Sequence, residues 1–149
     1  MTVFFSGCLH RCKGCHNPIS HEFDNGRPFT EREQDDIIEY IKETPFISGV
    51  TLSGGDPMYS AEAIIPFAEK LKSELPGINI WIYSGFLFED IIKNRFQRRL
   101  LELCDVLIDG PFVLEKKQHN LKYKGSINQR TINVQQSLKT GTVTLLEEP

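Results

Sequence analysis

Thr2-Val3-Phe4-Phe5-Ser6-Gly7-Cys8-Leu9-His10-Arg11-Cys12-Lys13-Gly14-Cys15-His16-Asn17 changes character at Gly7. Residues 2–6 are β-branched, aromatic and short, the composition of a strand. From Gly7 onward glycine, cysteine and charge replace the apolar run, the composition of a loop. The same succession recurs along the chain. Gly49–Leu52 ends in Ser53-Gly54-Gly55, Ile78–Tyr83 in Ser84-Gly85, and Asp105–Ile108 in Asp109-Gly110-Pro111.

Helical patterns fill the intervals. Thr30-Glu31-Arg32-Glu33 is a capping-box signature, and Ile37, Ile38 and Ile41 follow at helical spacing. Ser60–Leu75 places Ala61, Ile64, Ile65, Ala68 and Leu71 on one face; Pro66 predicts a kink or a late start. Phe88–Leu103 carries Phe88, Ile91, Ile92, Phe96 and Leu100, with Arg95, Arg98 and Arg99 turned to solvent. Thr131–Leu138 reads as a short helix and Thr142–Leu146 as a closing strand.

Strands separated by single helices cannot pair as hairpins. The expected class is therefore α/β, with a mostly parallel sheet built from βαβ units. Four units cannot close an eight-stranded barrel, so a partial, open (β/α) barrel is expected. In such folds the loops leaving the carboxyl ends of the strands gather on one face, where ligands bind.

The chain has 149 residues, which suits a single domain over 1–149, and no repeat or linker interrupts it. Hydrophobic residues make up 40% and charged residues 25%, an ordinary globular balance. A net charge of -3 argues against a nucleic-acid binder. No apolar run approaches the ~20 residues that cross a bilayer, and Met1–Ser6, with cysteines following at once, is too short to read as a secretory signal. The expected location is the cytoplasm.

Of four cysteines, Cys8, Cys12 and Cys15 fall within eight residues, with the spacing C-x₃-C-x₂-C. In a reducing compartment such clustering favours a metal site over disulfides. Thiolates are the ligands of iron–sulfur clusters, and three of them hold three irons of a [4Fe–4S] cubane, leaving the fourth open. The open alternative is a zinc-stabilised, non-catalytic module completed by His10, His16 or His21. Leu9, His10, Arg11 and Lys13 read as surface filler. Cys104, in the apolar run Leu100-Leu101-Glu102-Leu103-Cys104, reads as a small buried side chain.

The cysteine spacing followed by Ser53-Gly54-Gly55-Asp56-Pro57 resembles the radical S-adenosylmethionine (SAM) superfamily. Phe5-Ser6-Gly7-Cys8, Cys15-His16-Asn17, Ile108-Asp109-Gly110-Pro111-Phe112 and Gly125-Ser126-Ile127-Asn128-Gln129-Arg130 narrow the resemblance. They are similar to the activating proteins of anaerobic ribonucleoside-triphosphate reductase.

The resemblance implies an oxidoreductase whose open iron takes the amino and carboxylate groups of SAM. Cys8, Cys12 and Cys15 hold the cluster; Gly54, Gly55 and Asp56 meet the methionine amino group, mostly through backbone atoms. Gly14, Cys15 and His16 border the adenine side. One electron cleaves a C–S bond to give methionine and a 5′-deoxyadenosyl radical, which takes hydrogen from a glycine of the partner reductase. No side chain is implied as a catalytic acid or base. An electron donor such as flavodoxin or another reductant is implied as well.

Two features depart from the family. Only seven residues precede Cys8, fewer than its members usually carry. His16 stands where tyrosine is common, and His16-Asn17 resembles the activating enzymes of pyruvate formate-lyase, a second glycyl-radical partner to weigh. Tyr83-Ser84-Gly85 is a further stretch expected at the SAM pocket or as a plain turn. Asp109–Phe112 is open to the same two readings. Lys116, Lys117, Lys122 and Lys124 read as a solvated basic stretch.

Overall fold

The computed structural model describes residues 1–147. The expected domain limit at 149 lies outside the described residues. A five-stranded sheet in the order β1-β2-β3-β4-β5 organises the chain. The strands are β1 (Thr2–Phe5), β2 (Gly49–Gly54), β3 (Asn79–Tyr83), β4 (Val106–Asp109) and β5 (Arg130–Asn133). β1 to β4 run parallel, and β5 pairs with β4 antiparallel.

The connections are helical, as the apolar periodicity requires. α1 (Glu31–Lys42) starts where Thr30 Oγ1 accepts from Glu33 N at 3.2 Å. α2 (Ala61–Glu74) runs on through Pro66, without the late start that this proline allows. Pro66 lies on the exposed side, so its missing N–H costs one helix bond where water can reach the freed carbonyl. The single helix expected over 88–103 is two, α3 (Phe88–Ile91) and α4 (Arg95–Glu102). Asn94 divides them, its Oδ1 capping Phe96 N and Gln97 N at 3.1 Å each.

The tail also differs from its pattern. Residues 130–133, expected largely as helix, form β5, and α5 (Val134–Thr140) follows. Pairing decides this: Asp109 faces Arg130 across the ladder, and their side chains bond. The closing strand over 142–146 is reduced to one bridge, Ile132 to Leu145.

The core lies between the sheet and the helices. Val50, Leu52, Ile80, Ile82 and Leu107 point one way and meet Ile38, Ile64, Phe67, Leu71 and Leu100 from the helices. Period two sends their neighbours Phe4, Thr51, Ser53, Trp81 and Tyr83 to the other face. There Tyr123 packs edge-on against Trp81, ring centroids 4.8 Å apart, and its carbonyl accepts from the Tyr83 hydroxyl. Towards β1 that face is open: Phe4 keeps 67% of its surface exposed. Among the described residues no helix is long and apolar enough to cross a membrane.

Candidate cluster and nucleotide site

The carboxyl ends of the parallel strands meet around a cleft of about 260 Å³. One wall is the loop after β1, which presents Cys8, Cys12, Cys15 and His16. The floor is Ser53-Gly54-Gly55 at the end of β2, and Tyr83, Ser84 and Gly85 continue it from β3. The opposite wall is Gly110 and Phe112 after β4, with Gln129 just before β5.

The cysteine wall is held to the floor by main-chain bonds. Gly7 N donates to Ser20 O at 2.7 Å and Cys8 N to His21 O at 3.1 Å. Gly55 N donates to Phe5 O at 2.7 Å, and Asp56 N to Gly7 O at 3.0 Å. This contact needs glycine. Gly54 has φ +110°, and a Cβ there would strike the backbone of Phe5; one on Gly55 would lie 2.6 Å from Ser20 O.

Two of the sulfurs already sit in fields of backbone donors. Asn17 N lies 3.5 Å from Cys15 Sγ. Burial pushes the Cys8 thiol up, partly offset by the backbone N–H groups of His10 and Arg11. Such N–H groups stabilise thiolates and the clusters they hold. Cys104 is the contrast: it is wholly buried, its S–H donates to Leu100 O at 3.3 Å, and burial raises its pKa strongly. That thiol is inert packing, as its apolar surroundings predict.

Among the described residues no group of three or more His, Cys, Asp or Glu side chains is gathered to hold a metal ion. His10, one of the histidines open to a zinc role, is instead bonded to Asp56 at 2.6 Å. Filler was the wrong reading for it: its partner lies 46 residues away, beyond any local pattern.

Other expected residues take different places. His16 lies on the cleft, its ring 5.2 Å from that of Phe112. Gly14 turns the loop beside the cleft, with Leu114 packed where a Cβ would stand. Asp56 is 1% exposed and sits beneath the floor; its Oδ1 accepts from Met58 N at 2.9 Å. Ser84 Oγ and Gly85 N reach its Oδ2 at 3.0 and 2.9 Å.

The opposite wall explains the two motifs that composition left open. Gln129 Oε1 accepts from Gly125 N at 2.8 Å and Ser126 N at 3.2 Å, while its Nε2 donates to Gly110 O at 3.0 Å. Asn128 Nδ2 donates to Pro111 O at 2.8 Å, and Ser126 Oγ accepts from Val113 N at 3.2 Å. Arg130 bonds the fully buried Asp109 at 2.5 Å and Glu89 at 2.8 Å. Asp109 first, then Glu89, holds the Arg130 pKa above its ordinary value. The guanidinium in turn lowers that of Glu89. Gly125–Arg130 is thus a side-chain clamp that fixes the Gly110–Phe112 wall.

The family model described as "4Fe-4S single cluster domain" matches residues 1–132. Similar curated proteins include the anaerobic ribonucleoside-triphosphate reductase-activating protein of Haemophilus influenzae, 40% identical over 86% of this chain and 83% of its own length. Those of Pasteurella multocida and Escherichia coli are 37% and 36% identical, over 86% of this chain and 83% and 84% of their own lengths. With that identity over most of both chains, and with three thiols on the wall of one cleft, this chain belongs to the 4Fe-4S family of anaerobic ribonucleoside-triphosphate reductase-activating proteins.

Proposed function

We propose that the protein is a radical SAM activating enzyme that installs a glycyl radical on anaerobic ribonucleoside-triphosphate reductase. The observation that carries this reading is the cleft itself: three thiols on one wall face the main chain of Gly54-Gly55 across a space of nucleotide scale. The donor set fits a [4Fe–4S] cluster, because it offers three soft ligands with backbone N–H support and leaves one position for an outside ligand.

In this reading Cys8, Cys12 and Cys15 hold the cluster. The carbonyls of the Gly54-Gly55 floor accept from the methionine ammonium, which needs acceptors rather than donors. Asp56 acts from below, as a brace. His16 and Phe112 close the adenine side with aromatic surface, and Gln129 holds that wall in place. When bound, the cluster would supply one electron, drawn from an external reductant, for cleavage of a sulfonium C–S bond of SAM to methionine and a 5′-deoxyadenosyl radical. Hydrogen transfer from the partner's glycine then yields 5′-deoxyadenosine and the glycyl radical. The protein's share is positioning and the exclusion of quenchers. The sheet is assigned as the partial barrel of the radical SAM type, open towards β1.

The test is anaerobic reconstitution with iron and sulfide, reduction, and assay for SAM-dependent 5′-deoxyadenosine, followed by paramagnetic resonance of added reductase. A glycyl radical that requires both SAM and this protein is the expected result. A chain that takes up zinc alone, or a cluster blind to SAM, would overturn the proposal.

A further inference from the structure

His10 stands between two of the assigned ligands, yet it does not point to solvent as a spacer does. Its side chain keeps 17% exposure, and Nε2 donates to Asp56 Oδ2 at 2.6 Å. The ring packs edge-on to Phe86, centroids 4.7 Å apart, and tilted against Tyr59 at 5.3 Å. The last side of this slot is a missing side chain. A Cβ on Gly85 would come within 2.6 Å of the His10 ring.

Asp56 makes the slot a junction. Its carboxylate takes His10 from the cysteine loop, Met58 N from its own loop, and Ser84 Oγ and Gly85 N from the end of β3. Three strand ends are therefore tied at one buried acceptor. The residue after His10, Arg11, has φ +53°, a left-handed conformation that side chains rarely adopt. A loop bent in this way needs an anchor, and a short charge-assisted bond in a shielded site supplies one.

We propose that His10, acting through Asp56, is the positioning residue that sets the cysteine loop in register with the Gly54-Gly55 floor, and so lets the cluster and the amino-acid end of SAM meet. The proposal rests on the functional reading above. The imidazole touches neither group; it fixes the distance between the two surfaces that hold them, where errors well under an ångström matter.

The experiment compares wild type, His10→Ala, His10→Gln, Gly85→Ala and Leu9→Ala after anaerobic reconstitution. Iron and sulfide per chain, SAM affinity and the SAM-induced change in the paramagnetic resonance of the reduced cluster are measured; circular dichroism checks each fold. His10→Ala should keep its iron but bind SAM at least tenfold more weakly, with a blunted spectral change. His10→Gln, which can still donate to Asp56, should recover much of the loss. Gly85→Ala should reproduce the loss by displacing the ring, while the exposed Leu9→Ala should match wild type. Wild-type SAM affinity and spectrum in folded His10→Ala would overturn the proposal. Should that variant not fold, the same result in folded Gly85→Ala would do so. Failure of the wild-type cluster to respond to SAM would instead sink the functional reading beneath it.

Discussion

The two walls of the cleft are built by opposite means. The cysteine wall is largely backbone: glycines, the Asn17 N–H on the Cys15 sulfur, main-chain bonds to the floor, and a side-chain tie from His10 to Asp56. The wall after β4 is side chain, with Gln129, Asn128, Ser126 and Arg130 each reaching back to pin residues 109–113. In the proposed reading the thiol wall accommodates a large inorganic group and is shaped by turns. The wall proposed to face the organic ligand is completed by the protein's own hydrogen bonds.

The widest gap between the walls should open on removing a thiol. Cys8→Ala, Cys12→Ala and Cys15→Ala are each expected to abolish SAM cleavage, read as 5′-deoxyadenosine; retained cleavage in any one would contradict the ligand set. Across the cleft the loss should be of stability instead. Arg130→Ala strands the buried Asp109 carboxylate and should cost about 3 kcal/mol, measured by urea unfolding. Gln129→Ala removes three bonds and should cost about 1–3 kcal/mol. It should weaken SAM binding while iron content stays at the wild-type level, and a loss of iron would show that the walls are not independent.

Smaller effects sharpen the contrast. Cys104→Ala should keep full cluster content and cost about 1 kcal/mol, the loss of one small buried atom. The last effect is a pH dependence. Arg130 lowers the Glu89 pKa in the folded state, so the pair's contribution is present above the ordinary glutamate range and fades as pH falls through the lowered value. Glu89→Gln should flatten that acid limb of the unfolding curve slightly, since Glu89 is half exposed and solvent screens the pair.

This division also decides what could be read from the sequence. The parallel strands were legible because each is a short apolar run ending in glycine, and the thiol wall because its ligands are neighbours in the chain. β5 was not: Ile132 is the lone aliphatic residue in Arg130-Thr131-Ile132-Asn133, and the strand exists through its pairing with β4. The break between α3 and α4 turned on one capping asparagine inside a continuous helical pattern. His10 was misread, and Gly125–Arg130 had meaning only by resemblance, for one reason. Their partners are distant in sequence, and side-chain bonds across a fold leave no local period.

Trp81 is the only tryptophan in the chain, and it lines a hollow of about 500 Å³ on the open face of the sheet. Tyr83, two residues further along the same strand, borders both that hollow and the cleft. All indole emission from this protein therefore originates at one known point on this face. Cluster loading should dim that light by energy transfer, so an unlabelled sample carries its own optical gauge of that event.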